Sequence, residues 1–230
     1  MIQFLLTGEL LEFDWRIMTF LNQAQSLTNL TLALEKKKKF AYVNVPKSAI
    51  IALSKNADNS FPSHFAKSVI GSLKNTDPNV MKAISHTLVS DIEDGKHYKI
   101  GLNKNAEYYY SNIFEYYYMN NKDVYTSTVN YYIKNTPSVV ITFHDKKLIQ
   151  KHFGNGAHII NVAYTNYYEK LDNIYAQLSE FEGGADYCIM DCGVLGLALT
   201  SKVWENLNMS IIDFGKTLSL SKAVHTQQQS

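Results

Sequence analysis

The chain has 230 residues, 46% of them hydrophobic and 19% charged, with a formal net charge of +1. That much apolar material supports a folded core and excludes a disordered chain, and a balance so near neutral excludes a surface that is basic overall and built for a polyanion. Arg16 is the only arginine, so phosphate recognition has to rest on lysine, backbone N–H groups and hydroxyls. Cys188 and Cys192 lie in the apolar run "YCIMDCGVLGLAL". They read as buried thiols in a reducing compartment, not as a disulfide or a metal pair. No apolar run reaches the length of a membrane span. The opening "MIQFLLTGELLEFDW" is interrupted by Glu9, Glu12 and Asp14 and lacks a basic leader, so it does not read as a signal peptide.

Taken in chain order, residues 8–35 carry leucines and phenylalanines at helical spacing, and "EKKKK" closes that helix. "FAYVNV" reads as a short buried strand, Pro46 as a break, and "KSAIIAL" as a helix start. "SKNADNSFPSH" is a polar loop and "FAKSVIGSLK" an amphipathic helix. "DPNVMKAISHTLVSDI" reads as a second helix, with Asp77 as N-cap and Pro78 in its first position. "HYKIGL" is expected to be the second strand and "AEYYYSNIFEYYYMN" a tyrosine-rich helix. From residue 137 onward strands and helices alternate: "PSVVITFH", "DKKLIQKHF", "AHIINVA", "NYYEKLDNIYAQLSEF", "ADYCIMDCG", "VLGLALTSKVWENL" and "MSIIDFG". The tail "KAVHTQQQS" is polar.

This order predicts an α/β fold: a Rossmann-like, mostly parallel sheet with helices on both faces and an N-terminal helical extension. It is expected to be one domain over 1–230, with the extension at 1–37, the core at 38–220 and a loose tail at 221–230. In such folds ligands sit beyond the carboxyl ends of the strands, and this draws attention to particular residues. Gly193 follows a strand and opens a helix, so its backbone can approach a phosphate or simply form a tight turn. Asp213 and Lys216 follow the last strand; the acid can hold sugar hydroxyls, act as a base, or cap a turn. Thr165 and Asn166 stand at a helix start, where capping and ligand contact are both open. His144 and Asp145 follow the strongest strand and allow acid–base chemistry, or a loop histidine beside a capping acid. The tyrosine runs read as a stacking platform or as a half-buried helix face, and "EKKKK" as a solvated helix end or a nucleic-acid contact. No Walker loop, GxGxxG, HExxH or paired CxxC occurs.

The later half, "YCIMDCGVLGLALTSKVWENLNMSIIDFGKTL", resembles the GT-D-type glycosyltransferases, which are Rossmann-like and transfer sugars from nucleotide-sugar donors. "VAYTNYYEKLD" is similar to a second family stretch and keeps Asn166 and Asp172, with Ala163 where the family has proline. "HYKIGL" and the loop carrying Asp58 are similar to further family segments. The resemblance spans about residues 38–220. It departs at "NVPKSA", where the family reads "R-hydrophobic-G-D-G-E": Asn44 stands in the arginine place, Lys47 in that of the first acid and Ala49 in that of the second. The metal-holding D-x-E pair is therefore missing.

With that pair missing, the expectation is a transferase that departs from the family in needing no metal, and no cofactor beyond its donor, with Lys47 neutralising the diphosphate. Gly193 would approach the donor, and Asn166 and Asp213 would hold hydroxyls of nucleotide or sugar, with Lys216 adding charge. Asp58 is the first choice of base and His144 the second. The acceptor would be a glycan or glycoprotein in a bacterial cytosol. Two alternatives stand beside this: a phage enzyme glycosylating modified DNA bases in an infected cell, with "EKKKK", Lys55, Lys67 and the tyrosines on the DNA, and a degenerate binding module. Sugar, nucleotide, stereochemistry and oligomeric state stay open.

Overall fold

The computed structural model describes residues 19–54, 61–85, 88 and 106–220. Eight strands form one sheet in the order β1-β4-β3-β2-β8-β7-β5-β6. They are β1 Thr19–Phe20, β2 Ala41–Val45, β3 Val80–Ile84, β4 Glu107–Tyr110, β5 Ser138–Thr142, β6 His158–Asn161, β7 Tyr187–Asp191 and β8 Ser210–Asp213. Every pairing is parallel. All five residues of β2, β3, β5 and β7 are buried, as expected of strands covered on both faces.

Alternation along the strands divides the core in two. Ala41, Val43, Val139, Ile141, Cys188, Met190 and Ile211 face one side. There they meet α2 (Lys47–Ser54), α3 (Ser63–Lys74), α7 (Leu171–Ser179) and α8 (Val194–Asn206). Tyr42, Val140, Ile189 and Ile212 face the other side. That face is covered by α1 (Gln23–Lys36), α4 (Ile113–Asn120), α5 (Lys122–Thr128), the π-helical turn Val129–Ile133 and α6 (Lys146–Phe153). Cys188 and Cys192 are free and buried, and burial pushes both thiols up.

On the first face α3 and α8 approach closely through small residues. A Cβ at Gly71 would sit 3.5 Å from Ser201 Cβ. Ser72 Oγ donates to Leu197 O at 2.6 Å and accepts from Ser201 N at 2.9 Å.

Three expectations need correction. The helix foreseen over 8–35 begins at Gln23, because Asn22 starts it: its Oδ1 accepts from Gln25 N at 2.9 Å, and Gln25 Oε1 accepts from Asn22 N at 3.0 Å. Thr19–Phe20 ahead of it is an edge strand on β4, and residues 8–18 lie outside the described residues. The helix foreseen from Asp77 is strand β3. Asp77 Oδ1 accepts from the N–H of Asn79, two residues on, at 2.8 Å. That makes an Asx turn, not a helix cap. Within β3 the buried Lys82 donates to Leu73 O at 2.7 Å and to Asn75 O, closing the carboxyl end of α3, and burial lowers its pKa to about 8. The tyrosine-rich helix is split, with Glu107–Tyr110 as β4, Asn112 left-handed at φ 55°, and α4 only from Ile113. "HYKIGL" lies outside the described residues.

Candidate active site

The connections diverge at two places in the sheet. From β5 the chain leaves into α6 on one face, whereas from the neighbouring β7 it leaves into α8 on the other. Likewise β2 leaves into α2 on the first face, while Phe214 and Leu218 beyond β8 pack on the second. Such divergence opens a crevice at the carboxyl edge. Both crevices lie within the run β2-β8-β7-β5, so they form one continuous edge.

At the β2/β8 end, Lys47 is half-buried and opens α2 directly after Pro46, and Ala49 one turn-step later is fully buried. Asn44, 6% exposed, ties three segments together. Its N–H donates to Asp213 Oδ2 at 3.1 Å, its Nδ2 to Asp213 O at 3.1 Å, and its Oδ1 accepts from Asn112 N at 2.7 Å. Asp213 Oδ1 accepts from Gly215 N at 2.8 Å. Gly215 has φ 61°, and a Cβ there would meet Asn112 Oδ1 at 2.4 Å, so only glycine fits. Burial raises Asp213 to about 7 despite the hydrogen bonds from Gly215 and Asn44, and Asp191 on the neighbouring strand adds repulsion. The Asp213 carboxylate is thus engaged by two backbone donors inside the protein. Lys216 is exposed and acts on Glu115 of α4, whose pKa is raised by burial and lowered by that lysine.

At the β7/β5 end, His144 Nε2 lies 3.2 Å from Asp191 Oδ2 and 3.0 Å from Ser219 Oγ. The His144 and Asp191 side chains are 19% and 6% exposed. The contact with Asp191 is an ion-pair approach without an aligned hydrogen bond, and Oδ2 is otherwise buried without a donor. Burial raises Asp191, and His144 opposes that rise. Asp145 caps α6 through Leu148 N at 3.0 Å, so its partner is the helix, and the acid facing His144 comes from β7. Gly193 precedes α8 at φ 57°, ψ −128°, with no side-chain cap and nothing within 4 Å of an added Cβ. Its backbone is open to an approaching ligand.

Asn166 stands farther out, beyond β6. It is exposed and left-handed at φ 55°, and its side chain makes no capping bond to the 3₁₀ turn Tyr167–Lys170 that follows. Near it Tyr164 is 76% exposed, its ring 5.0 Å from that of Phe143. The earlier tyrosine runs are mostly half-buried, with Tyr108 wholly so. Asp58 and Lys55 lie outside the described residues. Lys36–Lys39 precede β2 and therefore occupy the amino edge, with Lys39 Nζ 4.7 Å from the Trp204 ring centroid. Five residues of β2 put that edge about 17 Å from the carboxyl edge.

The edge therefore gathers Lys47, Asp213, Lys216, Gly193 and His144 and leaves Asn166 at its rim. Asp191 and Tyr164 join the arrangement as strand-end residues that the sequence order already marked for inspection without giving them a role, and Ser219 and Glu115 join it without having been singled out in the sequence. The signal for both strand-end residues was their place at the end of an apolar strand. Among the described residues no group of three or more His, Cys, Asp and Glu could hold a metal ion, and no helix is long and apolar enough to cross a membrane.

No protein-family profile matches the sequence, and no curated protein does. Solved structures do share the fold. A selenomethionine-substituted structure of domain of unknown function 1792 (DUF1792) superposes with a TM-score of 0.67 at 12% identity, over 93% of this chain and 84% of that one. A structure of the same domain, described as having a distinct glycosyltransferase fold, gives 0.65 at 12% identity over 93% and 84%. A structure described as a new glycosyltransferase (DUF1792) from Streptococcus sanguinis gives 0.62 at 15% identity over 91% and 85%.

Proposed function

We propose that this chain is a glycosyltransferase that moves a sugar from a nucleotide-sugar donor to an acceptor hydroxyl, with Lys47 as the cation on the departing diphosphate. The observation that carries the proposal is the position of Lys47. It opens a helix at the carboxyl end of a central strand, where its charge and the first backbone N–H groups of α2 act on the same anion. The fold shared with proteins described as glycosyltransferases supports the same reading.

The resemblance implies a divalent metal at this place, and the residues present do not fit one. Lys47 brings a positive charge where a carboxylate would stand, and Ala49 is apolar and fully buried. We therefore assign the leaving-group charge to lysine. Lys216, exposed beyond the adjacent strand β8, is the second lysine at this end of the edge, and we assign it a supporting charge. The acceptor we propose is a carbohydrate hydroxyl. A nucleic acid drawn to Lys36–Lys39 would dock at the opposite edge of the sheet.

The test is thermal unfolding against UDP-glucose, UDP-N-acetylglucosamine and GDP-mannose, each with EDTA or Mn²⁺. A donor that raises the melting temperature equally in both, and fails to do so with Lys47→Ala, supports the assignment. Stabilisation that requires Mn²⁺ would overturn it.

A further inference from the structure

The pair formed by His144 and Asp191 has no part in donor binding as proposed above. Three strand spacings separate β2 from β5, which puts His144 roughly 14 Å along the edge from the Lys47 position. A group so far from the diphosphate end is placed for the other substrate. Its surroundings fit that role: Phe143 adjoins it, and the exposed ring of Tyr164 stands over Phe143, offering a flat apolar face of the kind sugars stack on.

The contacts of His144 limit what it can do. In a serine-hydrolase relay the carboxylate and the hydroxyl use opposite ring nitrogens. Here Asp191 and Ser219 both approach Nε2, so Ser219 is not a nucleophile activated through this ring. An ionised Asp191 facing Nε2 favours the proton of a neutral ring on that nitrogen, with Ser219 Oγ as its acceptor, and we place the lone pair on Nδ1. The main chain of His144 is held as well. His144 N donates to Thr142 Oγ1 at 3.0 Å, and its carbonyl accepts from Asn161 Nδ2 at 2.5 Å, so the residue is tied to β5 and β6. The charged groups around it are Asp191 from β7, Asp213 behind Asp191 on β8, and Asp145, Lys146 and Lys147 at the head of α6. Asp191 also acts on the buried Tyr125 of α5.

We infer that His144 is the general base of the transfer, accepting the acceptor's hydroxyl proton at Nδ1, and that Asp191 is the residue that positions its ring. The inference rests on the transferase reading. In the step, the acceptor O–H bond breaks and its proton passes to His144 Nδ1. The freed oxygen electron pair forms the new bond to the anomeric carbon. The bond from that carbon to the diphosphate breaks, and its electron pair leaves with the nucleoside diphosphate. Asp191 faces the imidazolium so formed, and the proton returns from the ring to water. Nothing needs to be oxidised or reduced. This assigns the base to His144 in preference to Asp58.

The test measures steady-state transfer from a stabilising nucleotide sugar to a panel of mono- and disaccharide acceptors, by wild type, His144→Asn and Asp191→Asn. It is accompanied by thermal shifts for the donor and by ¹⁵N spectra of the histidine rings. His144→Asn is expected to lower kcat about 100-fold or more, the usual worth of a general base, with the donor-induced thermal shift unchanged. Asp191→Asn is expected to lower kcat at least 10-fold with donor and acceptor KM held within about twofold. It should also remove a slowly exchanging Nε2–H resonance assigned to His144. It relieves a buried charge, so loss of folding is not the expected cause. Either variant keeping kcat within about threefold of wild type would overturn the inference while leaving the transferase reading intact. Wild-type protein that binds and transfers from no donor would overturn the transferase reading and the base assignment with it. The ring spectra then decide whether the His144–Asp191 pairing itself exists.

Discussion

Replacing Asn44 by alanine tests whether the carboxyl edge is held by one side chain. Asn44 bridges the main chain of β8 and of the turn after β4, donating to Asp213 O and accepting from Asn112 N. Alanine removes both bonds in a site only 6% exposed, leaving a carbonyl and an N–H without partners and no room for water to replace the amide fully. Each such orphan costs about 1–3 kcal/mol, so the loss should be about 2–6 kcal/mol. For a chain of this length a kcal/mol corresponds to roughly 2–4 °C in melting temperature, and the variant should melt about 4–24 °C lower. The assay is urea denaturation followed by far-ultraviolet circular dichroism, with calorimetry as the second reading. A loss below 1 kcal/mol with an unchanged denaturant slope would refute the reasoning, because the two main-chain groups would then have found other partners.

Three further outcomes follow from the geometry. Gly193→Ala meets no steric obstacle but must adopt φ 57°, ψ −128°. It should cost about 1–3 kcal/mol in stability and weaken donor-induced thermal shifts beyond that, with shifts equal to wild type counting against a donor lying over this residue. Asp213 titrates near pH 7 when folded, against 3.8 for the ordinary group. Because the folded value is the higher, its contribution to stability is complete below about pH 4 and is lost as pH rises through 7. Wild type minus Asp213→Asn in unfolding free energy should fall by a few kcal/mol between pH 4 and pH 8, and a flat difference would place the carboxyl outside the core. Tyr164→Ala should raise the acceptor KM several-fold with donor binding and kcat little changed, measured with the same acceptor panel. An unaltered KM would remove Tyr164 from the acceptor path.

The order of elements from residue 137 onward was legible because β5, β7 and β8 are apolar runs with sharp ends. Pro137, Gly193 and Gly215 sit at the boundaries, and each helix between them opens where the apolar run stops. The first half was harder for physical reasons. Asp77–Pro78 has the composition of a helix start, and only the hydrogen bond to Asn79 decides for a turn. Lys82 in β3 breaks an apolar strand pattern, yet it is buried because α3 ends beside it. The tyrosines of β4 favour a strand by their β propensity but share a helical spacing with the residues beyond Asn112. The site followed the same division. Lys47, His144, Gly193 and Asp213 could be named because strand ends are readable. Their pairings could not, since Asp191, itself a readable strand end, and Ser219 and Asn112 reach them from elements remote in sequence that only the sheet order brings alongside.

The close contact of α3 with α8 has a bearing on what counts as a folding unit here. The segment from residue 137 looks self-sufficient on paper, with its regular succession of strands and helices. In the protein its longest helix is clamped by Ser72 of the first half, and β8 lies against β2. Expressed alone, that segment would expose Ile211 and the seam-facing side of α8 to water, while the remainder would lose the strand that flanks its own centre. Neither piece holds a closed core. The cation at one end of the edge and the histidine at the other are carried by the same sheet, and their spacing follows from its strand order.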